Sequence, residues 1–181
     1  MSTQTATKTV WALDPTHSEI GFKVKHMMFT NVSGSFGKFD VKVETSGDDF
    51  TNSSIHFSAA VDSISTGNTD RDNHLKSGDF FNAGQHPNVE FKATRYTKGP
   101  GIDTLSGDLT IAGVTKSINL NIEPGGIGKD PWGNIKTGFS ITGKINRRDF
   151  GLTWNAALET GGVLVSDEVK INCEIQLVKQ S

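Results

Sequence analysis

The sequence predicts an all-β, antiparallel domain, built either as two packed sheets or as one sheet curled closed. The first sign is strict alternation of apolar and polar residues. It is clearest at Val169, Ile171, Cys173, Ile175 and Leu177, with Lys170, Asn172, Glu174 and Gln176 between them. Successive side chains on a strand point to opposite faces, so this stretch has one dry face and one wet face. Buried parallel strands read instead as continuous apolar runs, so the alternation favours antiparallel pairing. The second sign is that almost nothing reads as a long helix. The third is punctuation: 20 Gly and 5 Pro in 181 residues suit many turns.

The elements follow in order. Residues 1–8 are polar and Thr-rich, a frayed lead-in to a single domain over 9–181. Trp11 and Leu13 mark a short strand broken by Asp14-Pro15, since Pro lacks an N–H donor. Ile20, Phe22 and Val24 place a strand over 17–26, and Asn31 to Gly37 reads as a turn region. Phe39, Val41 and Val43 place one over 36–45, and Ile55, Phe57, Ala59 and Val61 one over 53–63. The segment from Ser65 to Pro87 loses the two-residue period. Thr69 and Asp72 resemble a capping box, so a short helix is expected near 70–76, ended by Gly78. Strands follow over 88–97, near 102–112 and over 115–123, with Ala112-Gly113 a tight hairpin. Pro124 to Gly133 reads as a Gly-rich loop, followed by a strand over 134–146. A loop with Gly161-Gly162 precedes the last strand, about 166–178. About eight or nine strands result, and barrels of about eight strands can hold one small ligand.

Composition narrows the function. A formal charge of −2 and the absence of a basic excess argue against binding along a phosphate backbone. The N-terminus lacks the apolar run of a secretory signal, so a cytoplasmic protein is expected, or a periplasmic one if the sequence is a mature form. No stretch approaches the ~20 apolar residues of a membrane-spanning helix. The lone Cys173 falls on the apolar face of the last strand and reads as a small buried hydrophobe. The five histidines, at 17, 26, 56, 74 and 86, lack the close spacing of a zinc site, so no metal or cofactor is expected. His17-Ser18 is no catalytic pair by adjacency, because neighbouring strand residues face opposite ways; Asp14 and His17 suit turn contacts instead. Gly125-Gly126 and Gly161-Gly162 lack the following Lys-Ser/Thr and helix of a phosphate loop. Arg71-Asp72 and Arg147-Arg148-Asp149 suggest a structural ion-pair network, Arg71 or Asp72 meeting Asp149 or Arg147. The rival reading is recognition of a polar head by an arginine fork.

A series of motifs adds a family. Trp11-x-Leu13-Asp14-Pro15-x-His17-Ser18-x-Ile20-x-Phe22-x-Val24-x-His26-Met27 resembles the opening signature of the YceI-like family. The resemblance continues through Val32-x-Gly34-x-Phe36, Ser63-Ile64-x-Thr66-Gly67, Arg71-Asp72-x-His74-Leu75 and Asp79-Phe80-Phe81. It extends through Pro87-x-Val89-x-Phe91, Gly107-Asp108-Leu109-Thr110-Ile111-x-Gly113-x-Thr115-Lys116 and Asn146-Arg147-x-Asp149-Phe150-Gly151-Leu152-x-Trp154, and closes with Asp167-Glu168-Val169. It implies a lipocalin-like antiparallel barrel whose lumen takes a long isoprenoid or related lipid, and a tendency to form homodimers.

With the lumen as the site, the candidate ligand-binding residues are Phe22, Val24, His26, Phe36, Val41, Phe57, Ala59, Phe80, Phe91, Leu109, Leu120, Phe139, Ile141, Phe150, Trp154 and Ile171. His26 is either a head-group contact or a histidine bonded to a loop carbonyl. Phe80, Phe81, Phe150 and Trp154 either plug a barrel end or gate it. Phe39 and Ile175 should also face inward. Lys23, Lys42, His56, Asn119, Ser140, Lys170 and Glu174 should face water. The expected function is non-catalytic binding, storage or transport of a long-chain lipid, with no nucleic acid and no stable membrane insertion. Two alternatives stand beside it. One is an enzyme or stress-response factor acting on a lipid or quinone-like molecule, which needs a convergent titratable set that the sequence does not display. The other is a filled barrel used only in protein interactions.

Overall fold

The computed structural model describes residues 8–155 and 164–180. The expected Gly161-Gly162 loop and most of the N-terminal lead-in lie outside the described residues. The strands are β1 Lys8–Leu13, β2 Glu19–His26, β3 Thr30–Phe36, β4 Phe39–Ser46, β5 Asp49–Ala60, β6 Ile64–Ser65, β7 Asn88–Thr97, β8 Asp103–Ile111, β9 Val114–Lys129, β10 Ile135–Asn146 and β11 Val165–Lys179. One helix, α1, spans Thr69–Lys76. All strand pairs are antiparallel and join into one sheet.

The sheet is a closed barrel of eight staves. β1 and β2 lie end to end along β11: Trp11 to Leu13 pair with Lys179 to Leu177, and Glu19 to His26 pair with Glu174 to Val165. A 3-10 turn at Pro15–His17 joins the two halves. β3 and β4 form the next stave, and β5 with β6 the third. The remaining five strands follow in chain order, and β11 meets β1 to close the ring. Closure through β1 and β11 leaves only short edges, at β6 and along residues 30–34 of β3, which limits edge-to-edge association.

Several boundaries differ from the sequence expectation. Asn31 to Gly37 is not a turn: Thr30–Phe36 is a strand paired with both β2 and β6. The turn sits instead at Met27-Met28, both in the left-handed region with φ 51° and 63°. Side chains with a Cβ are disfavoured there by ~1–2 kcal/mol per residue. Pro124 to Gly133 is not all loop either. β9 runs on to Lys129, paired with Ile135 to Thr137, and the reversal is held by Asp130, which accepts from the N–H groups of Trp132 and Asn134. The helix is capped by Asn68, whose side chain accepts from Arg71 N, and not by Thr69. It stops at Lys76 with Ser77 as its C-cap, so Gly78 is not the terminator. Ala112-Gly113 is the expected tight hairpin, with φ 49° and 78°.

Candidate functional site

The ring encloses a cavity of about 640 Å³. Every stave contributes aliphatic or aromatic side chains to its wall, among them Phe22, Val41, Phe57, Phe91, Leu109, Leu120, Ile141 and Ile171. Phe22, Val24, Phe57, Phe139, Ile141 and Ile171 face inward yet are only half-buried. A filled core would leave such residues without accessible surface, so their exposure is to the lumen. The outward neighbours Lys23, Lys42, His56, Asn119, Lys170 and Glu174 are exposed, and Ser140 is half-buried.

The lumen has a closed end and an open one. At the closed end Trp11 is 1% exposed, its ring 5.4 Å from that of Phe50, which lies 5.0 Å from Phe139. Trp11 Nε1 donates to Thr45 Oγ1 at 3.0 Å, and Tyr96 donates its hydroxyl to Asp103 at 2.5 Å. Burial, reinforced by Asp103, pushes the Tyr96 hydroxyl well above its ordinary pKa, so it stays a neutral donor. Buried polar groups here are thus satisfied, and the apolar floor carries no free charge.

At the open end α1 and the segments 80–83 and 152–155 frame the mouth. His74, Phe80 and Trp154 pack edge to face, with centroids 4.7 Å apart for His74–Trp154 and 5.1 Å for His74–Phe80. Phe80 and Phe81 both line the lumen, and Phe81 meets Phe36 edge-on at 6.2 Å. Lys25, His26, Thr66, Asn68, Asp70 and Arg71 supply the polar rim. His26 is not bonded to a loop carbonyl: among the described residues its ring makes no hydrogen bond, and it lines the lumen.

Arginines hold the rim in place, but not through the expected network. Arg71 donates to the Oγ1 and backbone O of Thr66, both at 2.7 Å, while Asp72 accepts from Thr66 N and Oγ1. Neither meets Arg147 or Asp149. Both side chains thus meet on Thr66, between β6 and α1. Arg147 is 3% exposed and donates to the carbonyls of Leu152, Trp154, Val165 and Ser166. It therefore ties the Trp154 segment to the start of β11. Arg148 pairs with Asp167 at 2.7 Å.

Two of the candidate residues do not reach the cavity. Ala59 is 1% exposed, on the inward-facing series of β5 but packed in the wall opposite Phe39. Phe150 is 2% exposed and fills the core beneath the 3-10 turn at Arg147–Phe150. The other fourteen candidates all border the lumen. The cavity also takes in apolar residues that were not among the candidates, such as Ile55, Val89, Leu105 and Ile145. Phe50 and Tyr96 needed the closed ring to be found. Cys173 is buried in the same wall, and burial pushes its thiol up to about 11.

Comparison with known proteins places this architecture. A model of the YceI-like domain matches residues 11–177. The chain belongs to the YceI-like family. A UPF0312 protein of Staphylococcus aureus strain N315 is 39% identical over 169 residues, 93% of this chain and 96% of the relative. The Campylobacter jejuni YCEI protein is 34% identical, with a TM-score of 0.75 over 93% of this chain and 96% of its own. A polyisoprenoid binding domain from Saccharophagus degradans, implicated in plant cell wall breakdown, shares the fold. Its TM-score is 0.66 at 15% identity, over 94% of this chain and 98% of its own. Among the described residues no three His, Cys, Asp or Glu side chains gather as a metal-ligand set, and no helix is long and apolar enough to cross a membrane.

Proposed function

We propose that this YceI-like protein takes a long isoprenoid or related lipid chain into its lumen and stores or carries it without transforming it. The observation that carries this reading is the cavity itself: an apolar tube walled by all eight staves, floored by Trp11, Phe50 and Phe139, with its charged side chains gathered at one mouth. Its volume of about 640 Å³ lies within the ~300–1,000 Å³ of small-molecule sites. Each CH₂ taken from water contributes ~0.8 kcal/mol, so ten of them give ~8 kcal/mol before the costs of association. A chain therefore binds well with few polar contacts. Length and bend select it inside, and Lys25, His26, Asn68 and Arg71 meet its polar end at the rim.

The likeness to a domain described as polyisoprenoid binding supports an isoprenoid chain over a straight one. The rim's His74 pairs with Asp79 through Nε2 and meets Phe80 and Trp154 edge to face, an arrangement that fixes the ring at the mouth. We also read the molecule as a homodimer that acts away from any covalent chemistry. Mass spectrometry of an organic extract of the purified protein tests the reading. A co-purifying long-chain lipid of unaltered structure is expected; an empty extract together with no uptake of added polyprenyl lipid would contradict it.

A further inference from the structure

The β2–β3 hairpin ends in Met27-Met28-Phe29, and its exposure has no structural return. Met28 is 56% and Phe29 80% exposed. Met27 and Met28 occupy two successive left-handed positions, where Asn-Gly is the favoured pair. A turn serving only to reverse the chain gains nothing from methionine there. The tip stands at the mouth: Lys25 and His26 line the lumen, and Met27 N donates to the carbonyl of Leu164, another lumen residue, at 2.8 Å.

A second, independent observation lies on the outer wall below it. Lys144, Lys170 and Lys23 stand directly opposite one another on β10, β11 and β2, and all are exposed. Like charges in register repel. Lys25 extends the row toward the tip. Four residues further from the mouth, ~13 Å at strand spacing, Glu174 and Glu19 stand in register on the same wall. The wall is thus basic near the mouth and acidic away from it. The rim's acids are engaged in part: Asp167 by Arg148, Asp79 by His74, and Glu168 faces Lys144 at 3.9 Å. Asp70 and Asp149 stay exposed on α1 and the turn after β10.

We propose that the Met27-Met28-Phe29 tip and the Lys23–Lys170–Lys144 row form a docking surface for anionic lipid bilayers, which sets the barrel's mouth against the membrane. Three apolar side chains are too few for the core of a protein interface, which needs ~800 Å² per partner, and lysine is depleted from such interfaces. Both features suit the headgroup layer: apolar side chains enter it and lysines meet lipid phosphates. The charge gradient along the wall orients the approach. This docking goes beyond the lumenal reading and holds or fails whatever the lumen takes.

The test is sedimentation of the full chain with vesicles of phosphatidylcholine, with and without phosphatidylglycerol. Wild type should bind the anionic vesicles more tightly, about fivefold for each lysine that faces the surface, and rising salt should weaken this. The variant Met27→Asn/Met28→Gly/Phe29→Ser should lose roughly tenfold or more in vesicle binding. Its Tm should hold or rise, because the turn then carries the residues its geometry favours. Phe29→Ser alone, which leaves the turn positions untouched, should lose binding in the same direction, and Lys170→Glu, a change of two charges, should cut the preference for phosphatidylglycerol roughly 25-fold. Wild type that ignores both vesicle types would overturn the proposal. So would tip variants that bind as well as wild type, or a tip that drives only self-association in light scattering without vesicles.

Discussion

Phe22 lies flat against Gly34, its directly paired neighbour on the next strand, so closely that any Cβ at position 34 would collide with the ring. Phe91 lies over Gly107 in the same way, and a Leu120 methyl over Gly143. These glycines let bulky side chains hug the wall. The lumen stays open because the rings lie along it instead of across it, as when an aromatic covers a glycine on a neighbouring strand.

Gly34→Ala should therefore push Phe22 toward the lumen. The added bulk costs ~1–3 kcal/mol and narrows the tube near the middle of β2. Thermal melts should show the loss, and Phe22→Ala in the same chain should return part of it. That non-additivity is the signature of two side chains sharing one space.

Arg147→Met should destabilise the mouth. The guanidinium serves four backbone carbonyls that water reaches poorly, and leaving such groups unpaired costs about 2–4 kcal/mol in total. Hydrogen exchange should speed up first at residues 152–155, because those carbonyls anchor that segment. Arg148→Met, which loses only a half-exposed pair with Asp167, should change stability by less than ~1 kcal/mol.

Asp14 gives a pH-dependent prediction. Its carboxylate accepts from Thr16 and meets His17 at 3.0 Å and Lys136 at 3.3 Å. The Thr16 hydrogen bond, then that of His17, holds the acid well below its ordinary 3.8 against the opposing effect of burial, with Lys136 adding to the stabilisation. A carboxyl depressed by folding stabilises the fold fully above its unfolded pKa and less as pH falls through that value. Asp14→Asn should thus lower stability by a constant amount from pH 7 down to about 5. Below about pH 4 the gap to wild type should close. A gap that does not change with pH in paired denaturant titrations would contradict this.

Cys173 should be inert. With its thiol raised to about 11 and its side chain buried in the lumen wall, little thiolate is present at pH 8. Native protein should react with a charged aromatic disulfide far more slowly than protein in urea. Rapid reaction of the native chain would mean that the wall opens near β11.

Much of this was legible in the chain, and the exceptions have physical causes. Val169 to Leu177 alternate, and those residues do face the lumen. Asn31 to Gly37 reads as a turn because Gly34 occupies an inward position, and it does so because Phe22 fills the space. The glycine that hides the strand is explained only by its partner. Residues 124–129 gave no strand signal because every residue there is exposed, so no dry face exists to alternate. Ala59 follows the inward period correctly, but period alone does not say whether an inward side chain meets a cavity or a neighbour. Opposite charges at Arg71 and Asp149 suggested a pair; the nearer backbone and hydroxyl of Thr66 took the arginine instead.

The central claim is a lumen that holds a chain, and a titration with a fluorescent polyprenyl analogue tests it most directly. Wild type should bind saturably and leave the analogue unaltered. Ile171→Trp, which adds bulk from a half-exposed position on the lumen wall, should weaken binding roughly tenfold or more for two or more displaced CH₂ groups. Asn172→Trp, the exposed neighbour facing the other way, should bind as wild type does. Equal affinity in Ile171→Trp and wild type, or no saturable binding at all, would contradict the account.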